Sequence, residues 1–213
     1  AMTGDAYFRW RKQGNYPKAL QWFDKVDESQ LNTNDRNKFN FQKGYSFFNA
    51  KKKKEATVYL NKVVNSAEYG SQAKYYLGFM AYEGDDYKEA TKYFDEVSGE
   101  EKYKEKLSYY QADMNFKLGN FQKAIDLGTK AMANSTALEK SELNKIIGES
   151  YFNLKKYDKA IPYLVDYKGK KGKWNNTDFY QLGYAYYKEK DYDNAISQFN
   201  KIIGGKDFVA QNA

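Results

Sequence analysis

Leu77-Gly78, then Gly84-Asp85-Asp86-Tyr87-Lys88-Glu89-Ala90, then Phe94, is the stretch on which the fold turns. Its pattern is an aromatic, two polar residues, an alanine and, four residues on, a large apolar side chain. The pattern recurs as Tyr16-Pro17-Lys18-Ala19 with Phe23, as Phe121-Gln122-Lys123-Ala124, as Tyr157-Asp158-Lys159-Ala160 with Leu164, and as Tyr192-Asp193-Asn194-Ala195 with Phe199. A degenerate copy, Lys53-Lys54-Glu55-Ala56 with Leu60, completes the series. The alanines at 19, 56, 90, 124, 160 and 195 are spaced by 37, 34, 34, 36 and 35 residues. A steady period of this length marks stacked supersecondary units.

A second marker fixes the register. Twelve residues before the alanines stand Gly44, Gly78, Ala112, Gly148 and Gly183, with Tyr7 the one exception. Small residues at both places let two antiparallel helices approach closely. Between them lie turns carrying Gly14-Asn15, Gly84-Asp85 or Gly119-Asn120. There glycine is expected to end one helix in the left-handed conformation, and Asn or Asp to cap the next. The second and fifth units carry Lys51–Lys54 and Lys155-Lys156 instead, which predicts less well-defined turns. Only Pro17 and Pro162 interrupt the helix-permissive composition. Pro162, two residues after Ala160, is expected to be tolerated early in its helix.

These residues resemble the tetratricopeptide repeat, most completely over 77–94 and 182–199, and the resemblance extends over the whole chain as a bacterial-type array. The sequence departs from that pattern at Gly128, where a large apolar residue is expected, and in lacking a proline between units. The resemblance implies an all-α, right-handed α-solenoid of about six antiparallel helical hairpins. Approximate units are 1–36, 37–70, 71–104, 105–140, 141–175 and 176–205, with 206–213 opening a seventh, so a fragment of a longer array is expected.

The resemblance also implies which positions face the concave surface: eighteen, fifteen, eleven, eight and seven before each marker alanine. The fifteen-before set is Gly4, Phe41, Tyr75, Tyr109, Lys145 and Tyr180. The eleven-before set is Phe8, Tyr45, Phe79, Asp113, Glu149 and Tyr184. The eight-before set is Arg11, Phe48, Tyr82, Phe116, Phe152 and Tyr187. Aromatics dominate all three, and this is where much of the aromatic excess (22 Tyr and 14 Phe) goes. Such rings serve either as core between units or as anchors for a partner, since tyrosine combines a flat apolar face with a polar tip. Tyr87 and Tyr192, three residues before their motifs' alanines, are expected to be core. Family members that clamp a C-terminal carboxylate use Asn at the eleven-before place; none stands there here, which disfavours an acidic chaperone tail.

The expected function is therefore a protein-interaction scaffold holding a peptide or partner segment of unread identity in an aromatic groove. A glycan or a single nucleic-acid strand, held by aromatics and lysines, is the alternative. The formal charge of +7, Lys51–Lys54 and the run from Lys168 to Lys173 favour nucleic acid. The two runs fall on turns at opposite edges of a hairpin stack, however, and arginine is confined to Arg9, Arg11 and Arg36, so solvated loops explain them better. Without His or Cys the commonest general base, metal ligand and thiol nucleophile are missing. No enzymatic role, metal or cofactor is expected. Asp113 and Glu149 are expected either to repel one another or to meet Lys145. No apolar run reaches the roughly 18 residues of a membrane span, and composition leaves cytoplasm and periplasm, and the oligomeric state, open.

Overall fold

In the computed structural model, residues 15–202 can be described. The chain divides into two compact units, Ala1–Glu100 and Glu101–Ala213. In the first, α1 (Tyr16–Phe23), α2 (Thr33–Asn49), α3 (Lys53–Asn61), α4 (Gly70–Glu83) and α5 (Tyr87–Val97) follow in order. The second holds α6 (Glu101–Lys117), α7 (Phe121–Ala131), α8 (Ala137–Asn153), α9 (Tyr157–Asp166), α10 (Asn176–Lys188) and α11 (Tyr192–Phe199). From Ala56 onward each marker alanine sits in the shorter, second helix of a hairpin. Helices α2, α6 and α8 begin at Thr33, Glu101 and Ala137, a turn ahead of the approximate unit starts read from the sequence.

The alanine–glycine register is a packing rule. All six marker alanines are essentially inaccessible to solvent. A Cβ built on Gly44 would lie 2.8 Å from Leu60 Cγ; on Gly148, 2.8 Å from Leu164 Cδ2; on Gly183, 2.8 Å from Phe199 Cε1. On Gly78 it would lie 2.6 Å from two ring carbons of Phe94. The glycine of one helix is thus the socket for the large residue four places after the alanine of the next. The fourth hairpin exchanges the two sizes: Ala112 stands at the glycine place and Gly128 at the large one. Gly128 instead faces Ile147 of α8, whose Cγ1 a Cβ there would meet at 2.9 Å. The departure at Gly128 is therefore filled from the following hairpin.

The intra-hairpin turns share one geometry. Lys51, Asp85, Gly119, Lys155 and Lys190, each five residues before a marker alanine, have positive φ of 60°, 60°, 78°, 59° and 63°. After each, an amide donates five residues back: Lys52 N to Phe47 O, Asp86 N to Ala81 O, Asn120 N to Asn115 O, Lys156 N to Tyr151 O and Asp191 N to Tyr186 O. This is the Schellman closure of a helix C-terminus. The lysine turns are thus as well formed as the glycine one, correcting the sequence expectation, because the six-to-one hydrogen bond is made by backbone. Gly119 takes the left-handed role as expected, but at the Gly84-Asp85 turn Asp85 takes it and Gly84 does not. Asp86, not Asp85, then caps α5, and Asp191 caps α11 in the same way. Neither Asn15 nor Asn120 makes a side-chain cap. Gly14, Tyr7 and the stretch from Gly204 onward lie outside the described residues.

Between hairpins the caps are stronger. Thr136 with Glu139 opens α8 and Asn175 with Asp178 opens α10, each as a reciprocal capping box. Helix α9 runs through Pro162, its sixth residue, past the first turn where proline costs least. The run Lys168–Lys173 folds into a tight turn with Lys171 and Gly172 at positive φ and a Lys170–Lys173 bridge. Its four lysines are exposed, as a solvated loop requires. Trp174 anchors it, donating from Nε1 to Tyr167 O at 2.8 Å. No described helix is long and apolar enough to cross a membrane.

Candidate functional site

Helical spacing places the residues fifteen, eleven and eight before the alanine on one stripe of each first helix. In the first compact unit most of that stripe packs on itself. Phe41 is buried, stacked on Tyr69 at 5.0 Å. Tyr45 meets Tyr16 at 5.7 Å and Tyr76 at 4.9 Å. Phe48 lies between Tyr76 at 4.9 Å and Phe79 at 6.1 Å. Tyr75 reaches Phe94 at 6.3 Å, and Tyr82 sits beside Tyr87 at 6.1 Å. Tyr45, Phe48, Tyr75, Phe79 and Tyr82 stay half-buried, with part of each ring open to solvent. Phe8 lies outside the described residues.

In the second unit the stripe forms two clefts. One, of about 380 Å³, is walled by Phe152, Tyr157, Tyr180 and Tyr184, with Asn153 and Lys155 at its edge. Phe152 lies 5.7 Å from Tyr184 and 5.4 Å from Tyr157, and Tyr180 stacks on Tyr184 at 6.1 Å. Tyr187 and Tyr192, 53% and 54% exposed, continue this surface as a pair 6.1 Å apart. Tyr192 is thus not core, and Tyr157 lines a cleft. A large ring before the alanine sits at the mouth of the turn, where α10 and α11 leave one side open.

The other cleft, about 390 Å³, lies between α6 and α8. Tyr109, Asp113 and Phe116 come from α6, and Glu142, Lys145 and Glu149 from α8. Asp113 and Glu149 line this cleft but are largely buried in its wall. Asp113 pairs with Lys117 at 2.7 Å. Lys145 binds Asp178 at 2.8 Å and meets Glu149 at 3.8 Å, so the expected Lys145 contact forms with Glu149 and not with Asp113. Asp178 is doubly committed, since its other oxygen accepts from the Asn175 amide at 2.9 Å. Burial, reinforced by Asp178 and Glu142, holds the Glu149 carboxyl above its ordinary range in spite of Lys145. Burial, with Asp113 and Glu142, pushes the Tyr109 phenol up to about 12. Among the described residues no group of three acids is placed to hold a metal ion.

Glu142 and Tyr167 were not among the residues singled out from sequence, and Lys170 was read there only as part of the basic run Lys168–Lys173. Glu142 was legible, standing eighteen before Ala160; so was Asn153, seven before it. Tyr167 and Lys170 belong to the linker after α9, to which no repeat register applies.

Residues 179–204 match the Tetratricopeptide repeat family profile. Among solved structures, MamA of AMB-1 is similar over 79% of this chain and 90% of its own, at 15% identity and a TM-score of 0.67. MamA from Desulfovibrio magneticus RS-1 is similar over 78% and 92%, at 17% identity and a TM-score of 0.62. PilF of Pseudomonas aeruginosa is similar over 98% and 95%, at 15% identity and a TM-score of 0.63. A search among curated proteins found no match. With one unit matching the family profile, the alanine–glycine socket repeated in its neighbours and the same fold in these structures, the chain has the all-α repeat fold of tetratricopeptide-repeat proteins.

Proposed function

We propose that the protein is a binding scaffold which holds a polypeptide partner on the aromatic stripe of its first helices. The carrying observation is the cleft walled by Phe152, Tyr157, Tyr180 and Tyr184, which leaves aromatic faces open to solvent. Rings that served only to join hairpins would be closed over, as Phe94 is. Large, flat side chains of low conformational entropy are the usual anchors of protein recognition. The same stripe at Phe48, Phe79 and Tyr82 presents half-buried rings in the first compact unit.

The test is substitution of one ring that walls the cleft, Tyr180, and one that continues its surface, Tyr187. Tyr180→Ser with Tyr187→Ala should weaken capture of polypeptide partners by about tenfold or more while helicity and melting temperature change little. Leu182→Ala, which strikes a buried residue of the same helix, is the comparison. If the tyrosine pair lowers folding and binding together, as Leu182→Ala does, those rings are core and the reading fails. Retention of oligosaccharides or single-stranded oligonucleotides instead of polypeptide would replace it with the glycan or nucleic-acid reading.

A further inference from the structure

The cleft between α6 and α8 has a charge imbalance that its own residues do not resolve. Two of its charged groups are already committed. Lys145 is held at 2.8 Å by Asp178, with its ammonium over the Tyr167 ring at 4.8 Å, and Asp113 is held at 2.7 Å by Lys117. Two carboxylates remain. Glu149 is 9% exposed, and its nearest cation is that same Lys145, 3.8 Å away, with Gln181 beside it. Glu142 is half-buried, with no ion pair or hydrogen bond among the described residues. Besides the committed Lys145, the opposing charge in the lining is Lys170, exposed on the tight turn at the rim. A carboxylate so far withdrawn from water normally gains a close partner or loses its charge.

The walls decide the class of ligand. Tyr109 and Phe116 contribute ring surface, the Tyr167 ring being already covered by Lys145, and ring faces attract organic cations. A calcium or magnesium ion needs about six oxygen ligands and gains nothing from rings. A guanidinium stacks on rings and bridges carboxylates with a planar fork, whereas an ammonium acts as a point charge. Burial is the main cause of the raised Glu149 carboxyl and of the Tyr109 phenol pushed up to about 12, and the neighbouring carboxylates add to it in the same direction. We infer that the cleft between α6 and α8 receives a basic side chain of the bound polypeptide, arginine in preference to lysine. This rests on the scaffold reading above and adds the partner's charge at one position. It is opposite in sign to a carboxylate clamp.

Four fluorescein-labelled dodecapeptides, alike in tyrosine- and leucine-rich flanks and carrying a central Arg, Lys, Gln or Glu, separate the two levels. Their binding to the whole chain is read by fluorescence anisotropy. The expected order is Arg, Lys, Gln, Glu, with Arg over Glu by about tenfold or more. In the Glu142→Gln/Glu149→Gln variant the Arg and Gln peptides should bind alike, with the affinity for the Gln peptide unchanged. Equal binding of all four peptides to the unaltered protein, or tightest binding of the Glu peptide, overturns the inference and leaves the aromatic scaffold standing. Binding of none overturns both. The order on the unaltered protein decides the matter even if the double variant melts early.

Discussion

Gly78→Ala tests the socket on which the repeat is built. At an ordinary interior helix position this substitution stabilises by about 1 kcal/mol, because alanine loses less backbone freedom. Here the new methyl would lie 2.6 Å from two carbons of the Phe94 ring and 3.1 Å from Tyr93 Cβ. Phe94 is wholly buried and backed by Tyr75, so the ring has no solvent into which to turn. Overpacking of this kind costs about 1–3 kcal/mol. For a wholly buried ring met this closely the upper part of that range, about 2–3 kcal/mol, applies, so the sum is a net loss of about 1–2 kcal/mol, or roughly 2–8 °C in melting temperature for a chain of this size. Urea unfolding followed by circular dichroism measures it, with Gly99→Ala as the control. Nothing lies within 4 Å of a Cβ there, so that change should be neutral or slightly stabilising. Placing Gly78→Ala on a Phe94→Leu background should recover about 1 kcal/mol or more of the loss, as coupled neighbours do. A Gly78→Ala protein at least as stable as the unaltered one would refute the socket, and with it the reason for the glycine twelve residues before the alanine.

Other outcomes follow from the turns and the buried charge. Lys51→Gly should stabilise by about 1 kcal/mol in the same urea assay, since a left-handed lysine is replaced by the residue that adopts that conformation freely. Pro162→Ala should stabilise by about 1–3 kcal/mol by restoring a helical amide six residues into α9. Glu149→Gln should stabilise the fold at neutral pH. The folded protein holds the Glu149 carboxyl above its unfolded value, so its charged form is penalised above the folded pKa and relieved as pH falls through it. The advantage of the glutamine variant, read from melting temperatures between pH 7 and pH 4, should shrink toward the acid end.

The alanines and glycines were legible because each is one half of a steric pair. A position that must be small, twelve residues from another that must also be small, leaves a trace in residue type alone. The turns were half legible. The register fixed where they fall, but the left-handed residue is chosen by backbone hydrogen bonds such as Asp86 N to Ala81 O. Those bonds form over lysine, aspartate or glycine alike, so residue type predicted a contrast between Lys51, Lys155 and Gly119 that the backbone does not make.

The groove was legible as a set of positions and not as a surface. Helical spacing puts Phe41, Tyr45 and Phe48 on the same stripe as Phe152, Tyr180 and Tyr184, yet Phe41 is closed over while the latter three line a cleft. The difference lies in what stands opposite. Tyr69, from the linker before α4, covers Phe41, whereas Tyr157 only walls the space beside Phe152 and Tyr184. Charge is further still from residue type. Asp113 and Glu149 occupy one register place on successive first helices, but Lys117 satisfies the first at 2.7 Å while Lys145 is drawn away from the second by Asp178. Asp178 stands where it does because it closes the capping box of α10. A helix cap in one hairpin thus holds the lysine of the hairpin before it 3.8 Å from Glu149, a longer contact than the one Asp113 makes. That coupling between local capping and the electrostatics of a cleft gives α6 and α8 their appetite for a cation.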